Sequence, residues 1–190
     1  MILLVAGLAL FFAVHSVRMV APAWREGRIA AIGENAWKGT YSVLSLAALV
    51  QIVWGYANAQ PTAPVLYVAS FGLVHATLLL TALAFVSLMV ANLPAGRLKP
   101  LIGHPMLAAV ILWSGGHLLV NGDLASVLLF GSFFLWSLVN RVAVAFRAAT
   151  PPATGPVRND VAAVVSGLAI WAAIVWFLHP WIAGVPVPIG

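Results

Sequence analysis

The sequence predicts an all-α integral membrane protein: one domain, residues 1–190, folded as a six-helix bundle with both termini on the non-cytoplasmic side. Three observations lead there. Of 190 residues, 63% are hydrophobic and only 7% charged, more apolar surface than a soluble domain of this size can hide. The apolar residues fall into six runs, each close to the roughly 20 residues needed to cross a hydrocarbon core. The basic residues fall only in or beside alternate connections between those runs, the pattern of the positive-inside rule.

The runs are residues 2–20, 40–56, 65–91, 104–120, 124–146 and 160–182. The first is apolar from Ile2 onward, with no basic segment before it. It therefore reads as a retained span and not as a cleaved signal peptide. The connection after it carries Arg18, Arg25, Arg28 and Lys38, the third connection carries Arg97 and Lys99, and the fifth has Arg141, Arg147 and Arg158 in or beside it. The second connection (57–64), the fourth (Asn121-Gly122-Asp123) and the tail (183–190) carry no basic residue. All basic side chains then lie on the cytoplasmic face, and the net charge of +5 reports topology and not a nucleic-acid partner. Pro61 and Pro64 punctuate the second connection, and Pro151, Pro152, Gly155 and Pro156 make the fifth irregular.

The exclusions are broad. With no cysteine, iron–sulfur clusters, thiolate-ligated haem, disulfides and cysteine nucleophiles are ruled out. The only acids are Glu26, Glu34, Asp123 and Asp160; none lies in the interior of an expected span, Asp160 being the first residue of the sixth, so no buried carboxylate pair serves acid–base chemistry. There is no Walker motif, Gly-rich dinucleotide fingerprint, zinc spacing or internal repeat.

Five histidines remain: His15, His75, His104, His117 and His179. A titratable group in a span is costly and is a functional hypothesis by default. His104 and His117 bound the chemically richest stretch, residues 103–123. They are 13 residues apart on one helix, a rise of roughly 20 Å with side chains about 140° apart. They cannot share one iron or one small ligand, so any metal or haem takes ligands from different helices. His117 is the better ligand candidate on this span. Gly115 and Gly116 leave room for a flat ring or a neighbouring helix. Asn121, one turn on, is placed to orient the imidazole, and Ser114 and Trp113 line neighbouring positions.

His104 precedes Pro105, a proline suited to a first helical turn, and reads as the helix cap at the cytoplasmic interface, a lipid-headgroup contact or a group that orients substrate. His15 admits two readings, a cofactor ligand or a hydrogen bond to a neighbouring helix through Ser16. His75 is expected near the middle of the third span, beside Gly72 and Thr77, and is either a substrate-site residue or packing. His179, before Pro180 and Trp181, reads as an interfacial anchor. Ser114, His117 and Asp123 do not suit a nucleophilic triad, since the first two share a helix and Asp123 lies past its end.

The pair His15-Ser16 resembles the NnrU family. So do the basic loop with Gly33-Glu34-Asn35-Ala36-Trp37-Lys38, and the run His104-Pro105…Trp113…His117-Leu118-Leu119…Asn121-Gly122-Asp123. The resemblance covers essentially the whole chain, and the double-histidine segment is its specific part. It implies a multi-pass protein of the bacterial inner (cytoplasmic) membrane linked to nitrite and nitric oxide metabolism in denitrification. The related plant and cyanobacterial 15-cis-ζ-carotene isomerases are membrane proteins that hold haem b through histidine. The resemblance thus implies haem b, with His15 and His117 at the ligand positions. These approach one depth if the first span extends a few residues past Val20. A cysteine near the second histidine of the isomerase-type motif has no counterpart here, where Ser114 stands in that neighbourhood. His75, His104, Ser114, Asn121 and Asp123 are then candidates for supporting the ligands or meeting a substrate.

Beyond the lipid bilayer, the expected ligands are nitric oxide or an apolar polyene. Two other classes stand beside this reading. One is a non-catalytic accessory or assembly factor for a respiratory reductase, with histidines used for packing and partner contact. The other is a membrane methyltransferase of the isoprenylcysteine type, whose His-Pro element is loosely similar, though the cytoplasmic loops here are short and Gly-poor.

Overall fold

The computed structural model describes residues 1–146 and 154–187. Pro151, Pro152 and Arg147 of the fifth connection, and the last three residues of the tail, lie outside them. The helices are α1 (Ile2–Val20), α2 (Pro22–Ile32), α3 (Glu34–Ala59), α4 (Gly72–Asn92), α5 (Leu98–Ile102), α6 (Pro105–Val120), α7 (Leu124–Ala145), α8 (Val157–Ala173) and α9 (His179–Ala183). Among the described residues five helical segments are long and apolar enough to span a membrane. They are Ile2–Val20, Glu34–Thr62, Gly72–Asn92, Leu124–Ala145 and Val157–Ala183, while apolar α6 is shorter at 16 residues. The all-helical, multi-pass membrane character expected from composition is therefore observed.

Two compact units are present: residues 1–67 with 122–132, and residues 68–121 with 133–190. In the first unit α1 and α3 pack antiparallel. Their buried faces are Leu4, Gly7 and Leu8 on α1, and Ala48, Ile52, Gly55 and Ala59 on α3. A Cβ on Gly55 would collide with the backbone of Leu4, and one on Gly7 would come within 2.9 Å of the Ile52 nitrogen. Small residues at this spacing let two helices approach closely where lipid offers no hydrophobic drive to bring them together. The large apolar side chains face outward instead: Val43, Val53 and Trp54 are all more than half exposed.

The second unit repeats the device. α4 packs antiparallel to α6 and to α8. Its buried face, Thr81, Ala84, Ser87 and Val90, recurs every third residue. Thr77 Oγ1 donates to the Gly116 carbonyl (2.9 Å), Ser87 Oγ to that of Pro105 (2.8 Å), and Trp171 Nε1 to Thr81 Oγ1 (3.0 Å). Asp160 Oδ1 and Oδ2 accept the amides of Leu98 and Arg97, which caps the start of α5.

Several expected boundaries move. The first span ends at Val20 and does not run on; Ala21 breaks it, and Pro22 opens α2 within what was expected to be a plain basic connection. The second span begins six residues earlier than expected, at Glu34, where Glu34 and Lys38 form an i,i+4 ion pair of 2.8 Å. The third begins at Gly72, not at residue 65. Val65 instead forms a β-bridge with Asp123, with Leu66 N–H donating to the Gly122 carbonyl (2.7 Å) and Leu124 N–H to that of Pro64 (2.9 Å). Residues 65–71 read as span by hydropathy, yet the β-branched Val65 and Val68 favour extended backbone. The sixth span contains a π-helical segment, Ile174–Leu178. Pro180 lacks the N–H that would continue the regular ladder, and the wider turn accommodates it.

Gly55→Ala should lower resistance to SDS-induced unfolding by about 1–3 kcal/mol, because the added methyl overpacks the α1–α3 contact. Gly39→Ala, where nothing lies within 4 Å of the new Cβ, should leave stability unchanged or raise it by up to about 1 kcal/mol. Equal effects from the two would contradict the close-packing account.

Candidate functional site

Each unit holds one histidine in the same local arrangement. His15 lies near the C-terminal end of α1, and its Nδ1 is 2.8 Å from the Phe11 carbonyl one turn back. His117 lies near the C-terminal end of α6, and its Nδ1 is 2.8 Å from the Trp113 carbonyl one turn back. A carbonyl only accepts, so Nδ1 must donate and carry the proton. The basic lone pair of both imidazoles is thereby assigned to Nε2, the form in which histidine ligates iron.

Aromatic rings hold both imidazoles. Phe11 stacks on His15 with centroids 3.9 Å apart and planes 16° apart, and Tyr41 of α3 stands 5.2 Å away. Trp113 tilts against His117 at 5.2 Å, and the Trp113 ring meets Phe133 edge-on at 5.8 Å. An apolar cavity of about 230 Å³ lies between α4 and α6, lined by Ala84, Phe85, Leu88, Ala109, Val110 and Trp113.

The other expected residues take distinct places. Ser114 is fully buried and donates to the Val110 carbonyl (2.6 Å) of its own helix. Asn121 caps the end of α6: its Nδ2 donates to the His117 carbonyl (2.8 Å), so it acts on the backbone that carries the imidazole. Asp123 belongs to the other unit and caps α7. Its Oδ1 accepts the Ser126 amide (2.9 Å) and its Oδ2 the Ser126 hydroxyl (2.6 Å), while Tyr56 Oη lies 2.9 Å from the same Ser126 oxygen. Burial, and secondarily the Asp123 charge, push the Tyr67 phenol up.

His75 is corrected in depth. With the helix starting at Gly72, it sits one turn in, exposed, its ring edge-on to Phe71 at 5.8 Å. His104 occupies the N-cap position of α6 but makes no capping side-chain bond. Burial, then the neighbouring Arg141 charge, hold its imidazole below the usual range. His179 donates from Nδ1 to the Val185 carbonyl (2.7 Å) and secures the turn after α9, beside the exposed Trp181. Among the described residues no three His, Asp or Glu side chains converge on a metal ion.

Sequence reasoning missed Tyr41. Its only signal was a polar ring four residues before Ser45 in an apolar helix, and that spacing is also ordinary packing. Trp113 was seen only as a neighbour of His117; its carbonyl turns out to be the imidazole's anchor.

Fold and site define a class, a multi-pass helical membrane protein in which two histidines are hydrogen-bonded to the carbonyls of their own helices. The family described as NnrU protein matches residues 3–187, and the chain belongs to that family. No curated protein and no solved structure matches the chain.

Asp123→Ala should cost roughly 1 kcal/mol of stability, the usual worth of an N-cap, read as a lower thermal midpoint in detergent. Asp123→Asn keeps a capping oxygen and should recover most of the loss; an equal loss in both would contradict a capping role.

Proposed function

We propose that this chain is a haem b protein of the bacterial inner membrane, acting in nitrite and nitric oxide metabolism, with His15 and His117 as the iron ligands. The supporting observation is the matched pair of Nδ1–H bonds to Phe11 and Trp113 carbonyls, which gives both imidazoles the ligating tautomer. Each bond also orients its ring and raises the basicity of Nε2. Bound haem would supply one-electron chemistry, and a binding position for a diatomic gas once one imidazole has left. Phe11, Tyr41 and Trp113 restrict the imidazole rotamers.

The apolar cavity beside Trp113 favours a second reading, in which the haem acts on a double bond of an apolar polyene and that cavity takes part of the hydrocarbon chain.

We further propose six spans, α6 included, with both termini on the non-cytoplasmic side. α6 rises only about 24 Å, at roughly 1.5 Å per residue, so it crosses where the bilayer thins or where its flanking residues complete the span.

The haem content of purified variants tests the ligands. His15→Ala combined with His117→Ala should lose the haem, while His179→Ala should retain it. Full haem in the double variant would refute the assignment. The absence of native cysteine makes topology directly readable: Gly27→Cys should react with an impermeant maleimide only from the cytoplasmic side, and Thr62→Cys only from the other. The reverse labelling would invert the proposed topology.

A further inference from the structure

The second unit carries a cluster of basic groups that the proposed haem chemistry does not use. A cavity of about 200 Å³ opens where α5 meets α6, with Lys99, Gly103, His104 and Met106 in its wall. Lys99 Nζ donates to the Ala91 and Leu93 carbonyls (2.8 and 3.0 Å) at the end of α4, which occupies two of its three donors. Gly103 makes the joint at φ +74°, and a Cβ built on it would lie 4.0 Å from Arg141 Nη2. Arg141, on α7, is also near enough for its charge to act on His104.

Among the described residues neither the Arg141 guanidinium nor the His104 imidazole has a hydrogen-bond or ion-pair partner, though both are partly buried. Asp160 is the only carboxylate in this unit's sequence, and its oxygens are committed to the amides of Arg97 and Leu98. A partly buried guanidinium and a third ammonium proton without an acceptor leave donors in want of an anion. The cavity lies at the ends of α4 and α6, where exposed Leu101 and Met106 flank it. That setting suits an anion carried on a hydrocarbon tail.

We propose that Lys99, His104 and Arg141 form a site for the phosphate of an anionic phospholipid headgroup. Arg141 supplies a planar fork to two phosphate oxygens, Lys99 a point charge, His104 a ring N–H, and Met106 packs against the first methylenes of the acyl chain. The site is independent of the cofactor. On the charge rule it faces the cytoplasmic leaflet, where anionic lipids concentrate basic groups.

The test titrates the full-length protein in neutral detergent with short-chain phosphatidylglycerol, phosphatidylcholine or inorganic phosphate, and reads binding from tryptophan fluorescence and the thermal midpoint. Phosphatidylglycerol should bind tightest, and Arg141→Gln should weaken it roughly tenfold, the order expected for one charge-assisted bidentate contact. Arg158→Gln, which changes an exposed basic residue at the same end of this unit, should leave affinity unchanged. Equal losses in the two variants reduce the effect to general charge and overturn the site. Phosphatidylcholine binding as tightly as phosphatidylglycerol would overturn the anionic assignment, and inorganic phosphate binding as tightly would overturn the lipid assignment. A normal midpoint for ligand-free Arg141→Gln shows that any lost binding is not lost folding.

Discussion

Polar groups in the spans of this protein have no bulk water to bond to, and the need for internal partners shapes fold and chemistry together. The commonest solution is a bond to the carbonyl one turn back: Ser114 to Val110, Ser132 to Leu128, Ser137 to Phe133, Ser166 to Ala162. His15 and His117 use the same solution. For a serine the bond satisfies the hydroxyl. For a histidine it also decides which nitrogen keeps the lone pair, so a device that makes the residue tolerable in lipid leaves Nε2 basic. Where a partner must come from another helix, small residues let the backbones meet, as at Gly116 beneath Thr77.

The second unit is chemically polarised. Arg97, Lys99, Arg141 and Asp160 gather where α4 ends and α6 begins, whereas His117, Asn121 and His179 lie toward the opposite end. Lys99 at the end of α4 meets the carbonyls that the helix leaves unsatisfied there, and its charge opposes the negative end of the dipole. Gly96 and Gly155 seat this end tightly: a Cβ on the first would strike the Asp160 carboxylate, and one on the second the Ala95 carbonyl.

Most of the fold could be read from hydropathy, because a 20-residue apolar run has few structural solutions. α1 and α7 match their expected limits to within a residue. Errors fell where hydropathy and backbone preference disagree: residues 65–71 are apolar but not helical, which also displaced His75 from mid-span to the first turn of α4. α2 was missed because a basic stretch carries no span signal, although Pro22 marks its start. The site was legible as residue types and as a family motif, but not as geometry. Nothing in the spacing of Trp113 and His117 distinguishes a carbonyl lock from ordinary packing. Arg141 drew notice only as a topology marker, since its place beside Gly103 depends on a helix 38 residues further along the chain.

The claim on which the functional reading turns is that the two locked imidazoles hold a haem. A reduced-minus-oxidised optical spectrum of the detergent-purified protein, from cells supplied with haem precursor, addresses it most directly. Ligation by His15 and His117 predicts a Soret band as isolated and a sharp b-type α-band after dithionite. A featureless spectrum in both states would contradict haem binding and leave the histidines as packing and partner contacts of an accessory protein.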